Sequence, residues 1–461
     1  MGACRASHCD DRASPSVEAG RRDDHQAFRR RGRLLRRLLP GAGYGAGRVS
    51  WAAWLVETAS GAVGPRCRLL SGGKTTIAVS AKGAWELKVD GAWLDAVPMR
   101  WWYPWASGVL VCHREGDREP WRPVMLGPAT AMPSAPAGPS GMRGEPVTLK
   151  GGCMMEMLDR RIITGPRDWD GSEGTWDLQH QTIRFEGVSL GTMMEKLVEL
   201  AMARRGGRLP VVFDPALRQE GLPRDDSHTW TYYAYNLSND GCGKLIDDLC
   251  GRINGPDWAF RPRLAGVLSG EPDRAEALFV HGVEGQPQIP QGRTVVWDAT
   301  RPRGSVTGLE VAQDASKMFT RRWCTGDGQD ADVLMDVRQS EDLLGAGMPL
   351  MEDVTSFSSV TTHAGLLSHV DALVAEGRTS TVQWTVTVDA SAPGCRPGVD
   401  WWPGDRVRLL LPPSRAGAVW SEQARWRPYP AQPRELLVTV MSADCDLGSE
   451  SVKVKMQEDH S

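Results

Sequence analysis

Several features that would fix a protein class at once are scarce or missing in this 461-residue sequence. No run approaches the ~18 uninterrupted apolar residues of a membrane-spanning helix. The formal net charge is only −3, which argues against a protein dedicated to nucleic-acid binding but not against a local basic patch. The ten cysteines include no Cys-x-x-Cys pair and are far too sparse for a disulfide scaffold. We therefore expect reduced thiols and no zinc.

Nucleotide-binding motifs are missing as well. The sequence has no Walker loop and no Gly-x-Gly-x-x-Gly following a strand, so no cofactor is predicted. Glycine and proline are abundant instead, at 51 and 31 residues, which favours turns and short strands over long helices. The 19 tryptophans outnumber phenylalanine and tyrosine together, and they indicate extensive flat packing surfaces. The length suggests two to four domains.

Composition divides the chain into four stretches. Residues 1–48 are basic and are predicted to be a disordered N-terminal extension. A basic arm on nucleic acid or a membrane and a twin-arginine signal are the alternatives. We predict an N-terminal β domain at 49–145, ending in a linker rich in proline and glycine at 129–145. An α/β domain at 146–265 and a C-terminal β domain with one helix at 266–461 follow, and strands could interleave across these boundaries.

The predicted fold class is α+β, mainly β. Strands and helices do not alternate regularly, so a doubly wound sheet or an (αβ) barrel is disfavoured. Apolar periodicity predicts helices at 192–205, 242–253 and 363–376. The first of these is expected to begin with a capping box from Thr192 to Glu195.

The clearest enzymatic motif is Gly187-Val188-Ser189-Leu190-Gly191, which fits the Gly-x-Ser-x-Gly nucleophile elbow between a strand and a helix. His281, His363 or His369 could supply a base in the right chain order. Three observations weaken this interpretation. The preceding strand alternates polar and apolar residues, the capping box starts the helix too late, and no oxyanion segment lies upstream. A hydrolase with Ser189 as nucleophile is kept as an alternative function.

Two acidic turns, at 168–173 and 327–332, place carboxylates close together. Neither matches a complete calcium-binding loop, and solvated hairpin tips are the better interpretation. His363 and His369 are six residues apart, so they do not share a helix face as a pair of metal ligands would. No metal site is predicted.

Two aromatic clusters, Trp101-Trp102-Tyr103-Pro104-Trp105 and Trp401-Trp402-Pro403, could stack on sugars or bases. We interpret both mainly as packing elements. A carbohydrate-binding protein built around the first cluster is a further alternative.

The order of features resembles the siphophage tail-hub or minor tail proteins of actinobacterial phages, over about 49–457. The features are a strand-turn-strand at 50–61, a hairpin ending in Gly127-Pro128, a strand with a short helix and a basic pair at 147–163, and the helix at 194–203. Val296-Trp297-Asp298, the segment 344–350 and Gly404-Asp405 follow. The extension 1–48 and the high tryptophan content depart from the family pattern.

This resemblance implies a baseplate-hub-like fold, with two small β-barrel-like domains and an α/β insertion in a homotrimer. It implies a structural, non-enzymatic protein at the tail tip of a virion, assembled in the host cytoplasm. The implied partners are a distal tail protein, the tape measure protein and receptor-binding or tail fibre proteins. DNA would pass through the lumen without sequence readout, and contact with the host cell surface is compatible with this place. No catalytic, cofactor-binding or metal-binding residue is assigned.

Overall fold

The computed structural model is built mainly of β-strands, which confirms the predicted fold class. It describes residues 51–458 except 71, 117, 133–145, 166, 168–179, 226, 236–240, 253, 302–303, 330–331, 359, 379–380 and 413–433. The predicted extension 1–48 and most of the predicted linker 129–145 lie outside the described residues. No helix in the described part of the chain has the length and apolarity of a membrane span.

The described part of residues 51–152 forms seven strands, one short α-helix and a single 3-10 turn at Met99–Trp101. The first strand is buried on both faces, whereas the third and fourth alternate between buried and exposed positions. The helix begins at a cap in which the Asp90 carboxylate accepts hydrogen bonds from two backbone N–H groups. The elements are β1 (Trp51–Glu57), β2 (Val63–Arg66), β3 (Lys74–Ala78), β4 (Ala84–Asp90), α1 (Gly91–Ala96), β5 (Ser107–His113), β6 (Arg122–Ala131) and β7 (Pro146–Gly152).

Helices and strands mix between residues 153 and 281. Two of the three predicted helices lie here, and each presents an apolar face to the core because apolar residues recur every three or four positions. The elements are α2 (Met155–Leu158), β8 (Thr182–Glu186), α3 (Leu190–Ala203), β9 (Val211–Phe213), β10 (Thr229–Tyr233), α4 (Cys242–Cys250), β11 (Trp258–Leu268) and β12 (Glu271–His281).

The remaining described chain returns to strands with two helices. The predicted third helix is present, and its first turn is capped by the Thr362 hydroxyl. The elements are β13 (Val295–Asp298), β14 (Val306–Asp314), β15 (Arg321–Thr325), β16 (Met335–Gln339), α5 (Glu341–Gly345), β17 (Glu352–Ser356), α6 (His363–Gly377), β18 (Thr381–Asp389), β19 (Arg406–Leu411), β20 (Arg434–Asp446) and β21 (Ser451–Glu458).

One 13-stranded sheet joins the two ends of the described chain, in the order β14-β18-β21-β20-β3-β4-β7-β6-β5-β1-β2, with β19 and β13 branching from β20. The long strand β20 makes this possible, because its first half pairs with β19 and its second half pairs with β3. Strands from the predicted first and last domains thus interleave. Pairing among the described strands does not close into a barrel, and the domain boundaries stay predictions.

Tryptophan fills much of the large core. Five of the largest fully buried side chains are indoles, and they come from distant parts of the chain. Burying an aromatic side chain removes a large apolar surface from water, so these residues stabilise the junctions between strands that the sheet brings together. The five are Trp54, Trp258, Trp297, Trp384 and Trp401.

A smaller layered unit lies between β14 and β18 in the sequence. Its sheet has the order β16-β15-β17, with β17 parallel and β16 antiparallel to β15. Helix α6 covers one face, where Cys324, Leu366 and Val370 form a separate apolar cluster. The unit is therefore a two-layer structure in which only one sheet face is packed on the helix.

Candidate functional site

The serine of the Gly-x-Ser-x-Gly motif is a helix cap in the structure. The buried Ser189 hydroxyl oxygen accepts a hydrogen bond from the Thr192 backbone N–H at 3.3 Å and lies 3.0 Å from the Thr192 hydroxyl. Helix α3 therefore begins at Leu190, and the predicted start at a Thr192–Glu195 capping box is wrong. The physical reason is that Ser189 already satisfies an N–H of the first turn.

A histidine and a carboxylate meet next to this cap, but they face each other and not the serine. The Nδ1 atom of the buried His281 lies 2.8 Å from the Gly282 carbonyl oxygen, to which it donates. Its Nε2 lies 3.7 Å from Oε2 of the equally buried Glu195. A serine nucleophile needs a base within hydrogen-bond reach. In the described residues, the Ser189 hydroxyl has Thr192 as its partner instead.

Glu195 is the centre of a buried ionic cluster that ties α3 to the loop after β9. Its Oε1 accepts hydrogen bonds from Nε and Nη2 of Arg218, at 3.0 and 2.5 Å, and Arg218 also pairs with Glu199. Burial by itself raises the pKa of Glu195, but the neighbouring His281 and the hydrogen-bonded Arg218 outweigh it and hold the pKa below its usual value. The cluster therefore connects α3 to the loop after β9 and stabilises the fold.

The other two candidate histidines lie on α6, in the smaller layered unit. His363 Nδ1 lies 2.9 Å from the Asp336 carboxylate on β16, and the His369 ring stacks on Phe357 at 4.5 Å. Both side chains have local partners of their own, and the structure does not bring either of them to Ser189 through any described contact.

Neither acidic turn lies wholly within the described residues. The turn at 168–173 lies outside the described residues, and so do two positions of the turn at 327–332. Within the described part of the chain, no group of three or more histidine, cysteine or carboxylate side chains is arranged to hold a metal ion. Seven of the eight cysteines in that part are buried, and burial raises the pKa of Cys242, for example, to about 12, which makes such thiols unreactive.

The aromatic cluster at 101–105 is used largely for packing. Trp101 is buried against Gly64, and Trp102 donates from its indole N–H to the Val97 carbonyl at 2.9 Å. The Trp105 ring is covered by the Arg160 guanidinium at 4.9 Å. Only Tyr103 of the cluster's rings is exposed, so the cluster offers no continuous platform for a sugar.

The second cluster is likewise part of the core. Trp401 is fully buried and meets Trp297 edge to face, with ring centroids 5.5 Å apart. The Trp297 indole donates to the Gly394 carbonyl at 2.9 Å. The interpretation of this cluster as a packing element agrees with these contacts.

Solvent-facing apolar side chains gather on the face of the β16-β15-β17 sheet opposite α6. We call this surface the open sheet face. In register across the three strands, Val337, Trp323 and Val354 form an apolar row, and Met335 extends it on β16. Met335 and Val354 are more than half exposed. The residues sit there because side chains alternate along a strand and Cys324 occupies the helix side.

A row of polar side chains borders this apolar row, and its members form hydrogen bonds with one another and with Trp323. Arg321 donates to Gln339 Oε1 at 2.8 Å and to Glu352 Oε1 at 3.1 Å, and the Trp323 indole donates to the same Glu352 oxygen at 2.9 Å. The open sheet face thus has an apolar centre with a hydrogen-bonded polar edge, which is the composition of a protein–protein contact.

A second outward-facing patch lies where β13, β19 and β20 run side by side. We call it the β13–β20 surface. Val296 and Leu437 are exposed on it, on either side of Arg408, which pairs with Glu435. The opposite sides of these strands carry Trp297, Leu409 and Leu436, which belong to the core. The surface again combines apolar side chains with one arginine–glutamate pair.

The comparisons with known proteins found similar solved structures but no related sequence. No family model and no curated protein matches the sequence. Several similar solved structures are tail proteins. The tail protein from Neisseria meningitidis MC58 is 13% identical, with a TM-score of 0.43 over 89% of this chain and 97% of that chain. The 43 kDa tail protein of prophage MuSo2 from Shewanella oneidensis is 10% identical, with a TM-score of 0.45 over 88% and 98%.

An Escherichia coli component of the type VI secretion system, described as similar to T4 bacteriophage tail proteins, is also similar. It is 9% identical, with a TM-score of 0.41 over 86% of this chain and 74% of that chain. These likenesses concern the arrangement of the chain and assign no role to a residue.

Sequence reasoning missed both outward-facing patches and the ionic cluster. One signal for the cluster was present, because Glu195 falls on the apolar face of α3 among Met194 and Val198. A charged residue at such a position needs a buried partner. The two outward-facing patches have no comparable signal, because the sequence pattern of a strand does not distinguish an exposed valine or leucine from a buried one.

Proposed function

We propose that this chain is a structural minor tail protein that forms the hub at the tip of a phage tail, linking the tail tube to receptor-binding or fibre proteins. The observation that carries the proposal is the open sheet face, where an apolar row lies on the side of the sheet that α6 does not cover and that no other described element covers. Soluble chains rarely leave such a contiguous patch uncovered unless it makes a contact. The ordered series of sequence features, which resembles that of tail-hub proteins, supports a phage tail as the assembly that contains this contact.

The partners proposed are those implied by the resemblance. They are two further copies of the chain in a homotrimer, a distal tail protein, the tape measure protein and fibre or receptor-binding proteins. Closed rings of identical copies are the usual form of such assemblies. DNA would cross the lumen of the hub without being read, and the proposed location is the virion tail tip.

A non-enzymatic role accords with how the candidate catalytic groups are used. Ser189 caps α3, His281 faces Glu195 and Gly282, and Glu195 pairs with Arg218. Each group has a structural partner, so we propose no catalytic step for any of them. The tail-associated hydrolase and the carbohydrate-binding protein are the alternatives that an experiment must separate from the hub.

The test is the mass of the assembly. Purified full-length chain is measured by analytical ultracentrifugation and native mass spectrometry, and tail particles containing it are examined by electron microscopy with a label on this chain. A trimer in solution and a label at the tail tip are expected. A stable monomer, both alone and in particles, would refute the hub. Activity on host cell walls that Ser189→Ala abolishes would favour the hydrolase.

A further inference from the structure

The open sheet face and the β13–β20 surface are two different patches on the same chain. We infer that the open sheet face of one copy packs on the β13–β20 surface of the next copy. This inference rests on the proposed homotrimer and adds to it the surfaces through which the copies meet.

The open sheet face can be desolvated in a contact without leaving the charges of Arg321 and Glu352 unpaired. Arg321 already bonds to Gln339 and Glu352, and Glu352 already accepts from the Trp323 indole. The main cost of burying charged groups in a contact is the loss of hydration without replacement bonds. Here those bonds exist before the contact forms, so the apolar row of Val337, Trp323 and Val354 can be covered at little cost.

The β13–β20 surface offers a matching composition. Val296, Leu410 and Leu437 provide apolar side chains, Arg408 and Glu435 form an ion pair among them, and Asp298, on the same face, pairs with Arg301. When the two patches meet with their ion pairs antiparallel, Arg321 approaches Glu435 and Arg408 approaches Glu352. Opposite charges then face each other, and the apolar side chains of the two patches pack around them.

The pairing of two unlike patches also selects the kind of assembly. A contact between one patch and a different patch is head-to-tail, and it closes into a ring when the rotation per copy divides a full turn. A patch that met its own copy across a two-fold axis would give a dimer instead. Because both patches belong to every copy, a ring leaves neither of them exposed.

The first test disturbs the centre of each patch. Val354→Lys and Leu437→Lys each place a charge in the contact, and each is expected to convert trimers to monomers at a chain concentration where the unmodified chain is trimeric. The matched control is Val267→Lys in the β11–β12 hairpin, since Val267 and Val354 are 60% and 63% exposed. Thermal unfolding of the three variants checks that all remain folded.

The second test identifies which patches touch. Chains with Cys4, Cys9 and Cys250 replaced by serine and carrying Val354→Cys are co-expressed with chains carrying Leu437→Cys. Oxidation is expected to link unlike chains, while chains with Val354→Cys alone stay unlinked. Linking of Val354→Cys chains to one another would show a two-fold contact and overturn the inference.

The outcomes separate this inference from the proposed function. An unmodified trimer that Val354→Lys and Leu437→Lys leave intact overturns the inference and leaves the hub standing, even if those variants lose binding to another tail protein. An unmodified chain that is monomeric alone and in particles would refute both the proposed hub and the inferred contact. Trimer loss in the Val267→Lys control but not in Val354→Lys would also overturn the inference.

Discussion

Arg261 on β11 and Asp405 in the turn before β19 form a largely buried ion pair, with Nη2 of the arginine 2.9 Å from Oδ1 of the carboxylate. The pair ties the β11–β12 hairpin to the sequence that starts β19, and the second carboxylate oxygen accepts from the Trp402 backbone N–H at 2.9 Å. Burial raises the pKa of Asp405 and lowers the pKa of Arg261, while their mutual attraction opposes both shifts.

Removing one member of this pair is expected to be costly. Asp405→Ala leaves the Arg261 guanidinium buried without its partner, and a loss of about 3–5 kcal/mol in the free energy of unfolding is expected. The double variant Arg261→Met with Asp405→Ala should lose less than the sum of the two single changes. Urea unfolding of the four proteins gives the coupling energy, and strictly additive single effects would contradict the buried pair.

The stability of the protein is expected to depend on Asp400 in a defined pH range. Its carboxylate accepts from Arg293 Nη2 at 2.6 Å, from Arg396 Nε at 2.6 Å and from the Gly394 N–H at 2.8 Å. Burial raises the pKa of Asp400, but the bonds from Arg396 and the backbone N–H groups outweigh it, and the net pKa is lowered.

A lowered carboxyl pKa in the folded state stabilises the fold above the unfolded value of about 3.9, and that contribution is lost as the pH falls towards the folded value. Asp400→Asn should therefore be less stable than the unmodified protein at pH 7, and the difference should narrow below about pH 4. Unfolding free energies measured from pH 7 to pH 3 test this. Asp248→Asn, on the exposed side of α4, is the control and should change the free energy of unfolding at pH 7 only slightly.

The capping role of Ser189 predicts a stability effect without a chemical one. Ser189→Ala removes the acceptor for the Thr192 N–H, and the free energy of unfolding should fall by about 0.5–2 kcal/mol. Differential scanning calorimetry measures the effect, with exposed Ser358→Ala as the control. An unchanged melting temperature together with the loss of a hydrolytic activity would contradict the capping interpretation.

The packing of Trp101 leaves no room at Gly64. A Cβ atom at this position would lie 2.4 Å from the Trp101 ring, and a buried indole has little freedom to move aside. Gly64→Ala should lower the free energy of unfolding by about 1–3 kcal/mol. Gly116→Ala is the matched control, because nothing lies within 4 Å of its Cβ position. Equal melting temperatures for the two variants would refute the close contact.

The elements that sequence pattern predicted well are those with strong periodicity. Helix α6 is predicted at 363–376 and spans His363–Gly377. Apolar residues at helical or alternating spacing are a local property, so neighbouring residues suffice to reveal it. Helix α4 was expected to reach 253 but ends at Cys250, with Gly251 as its C-terminal cap.

Strands with polar or irregular sequences were missed. β2 (Val63–Arg66) contains Gly64 and Pro65, and β17 (Glu352–Ser356) is mostly polar. Sequence pattern predicts only separate short strands at 257–261 and 277–281, whereas β11 and β12 have eleven residues each and pair as a hairpin. Their pairing partners supply the hydrogen bonds that local propensity does not predict.

The sequence by itself determined a mainly β chain with a few amphipathic helices, because hydrophobic alternation and turn residues act over short distances. It also determined that tryptophan would be a packing residue. Only the tertiary structure decided that β20 joins the two ends of the chain in one sheet, and that Trp323 and Val354 face outward together. Those facts depend on contacts between residues far apart in sequence, and such contacts leave no local pattern to read.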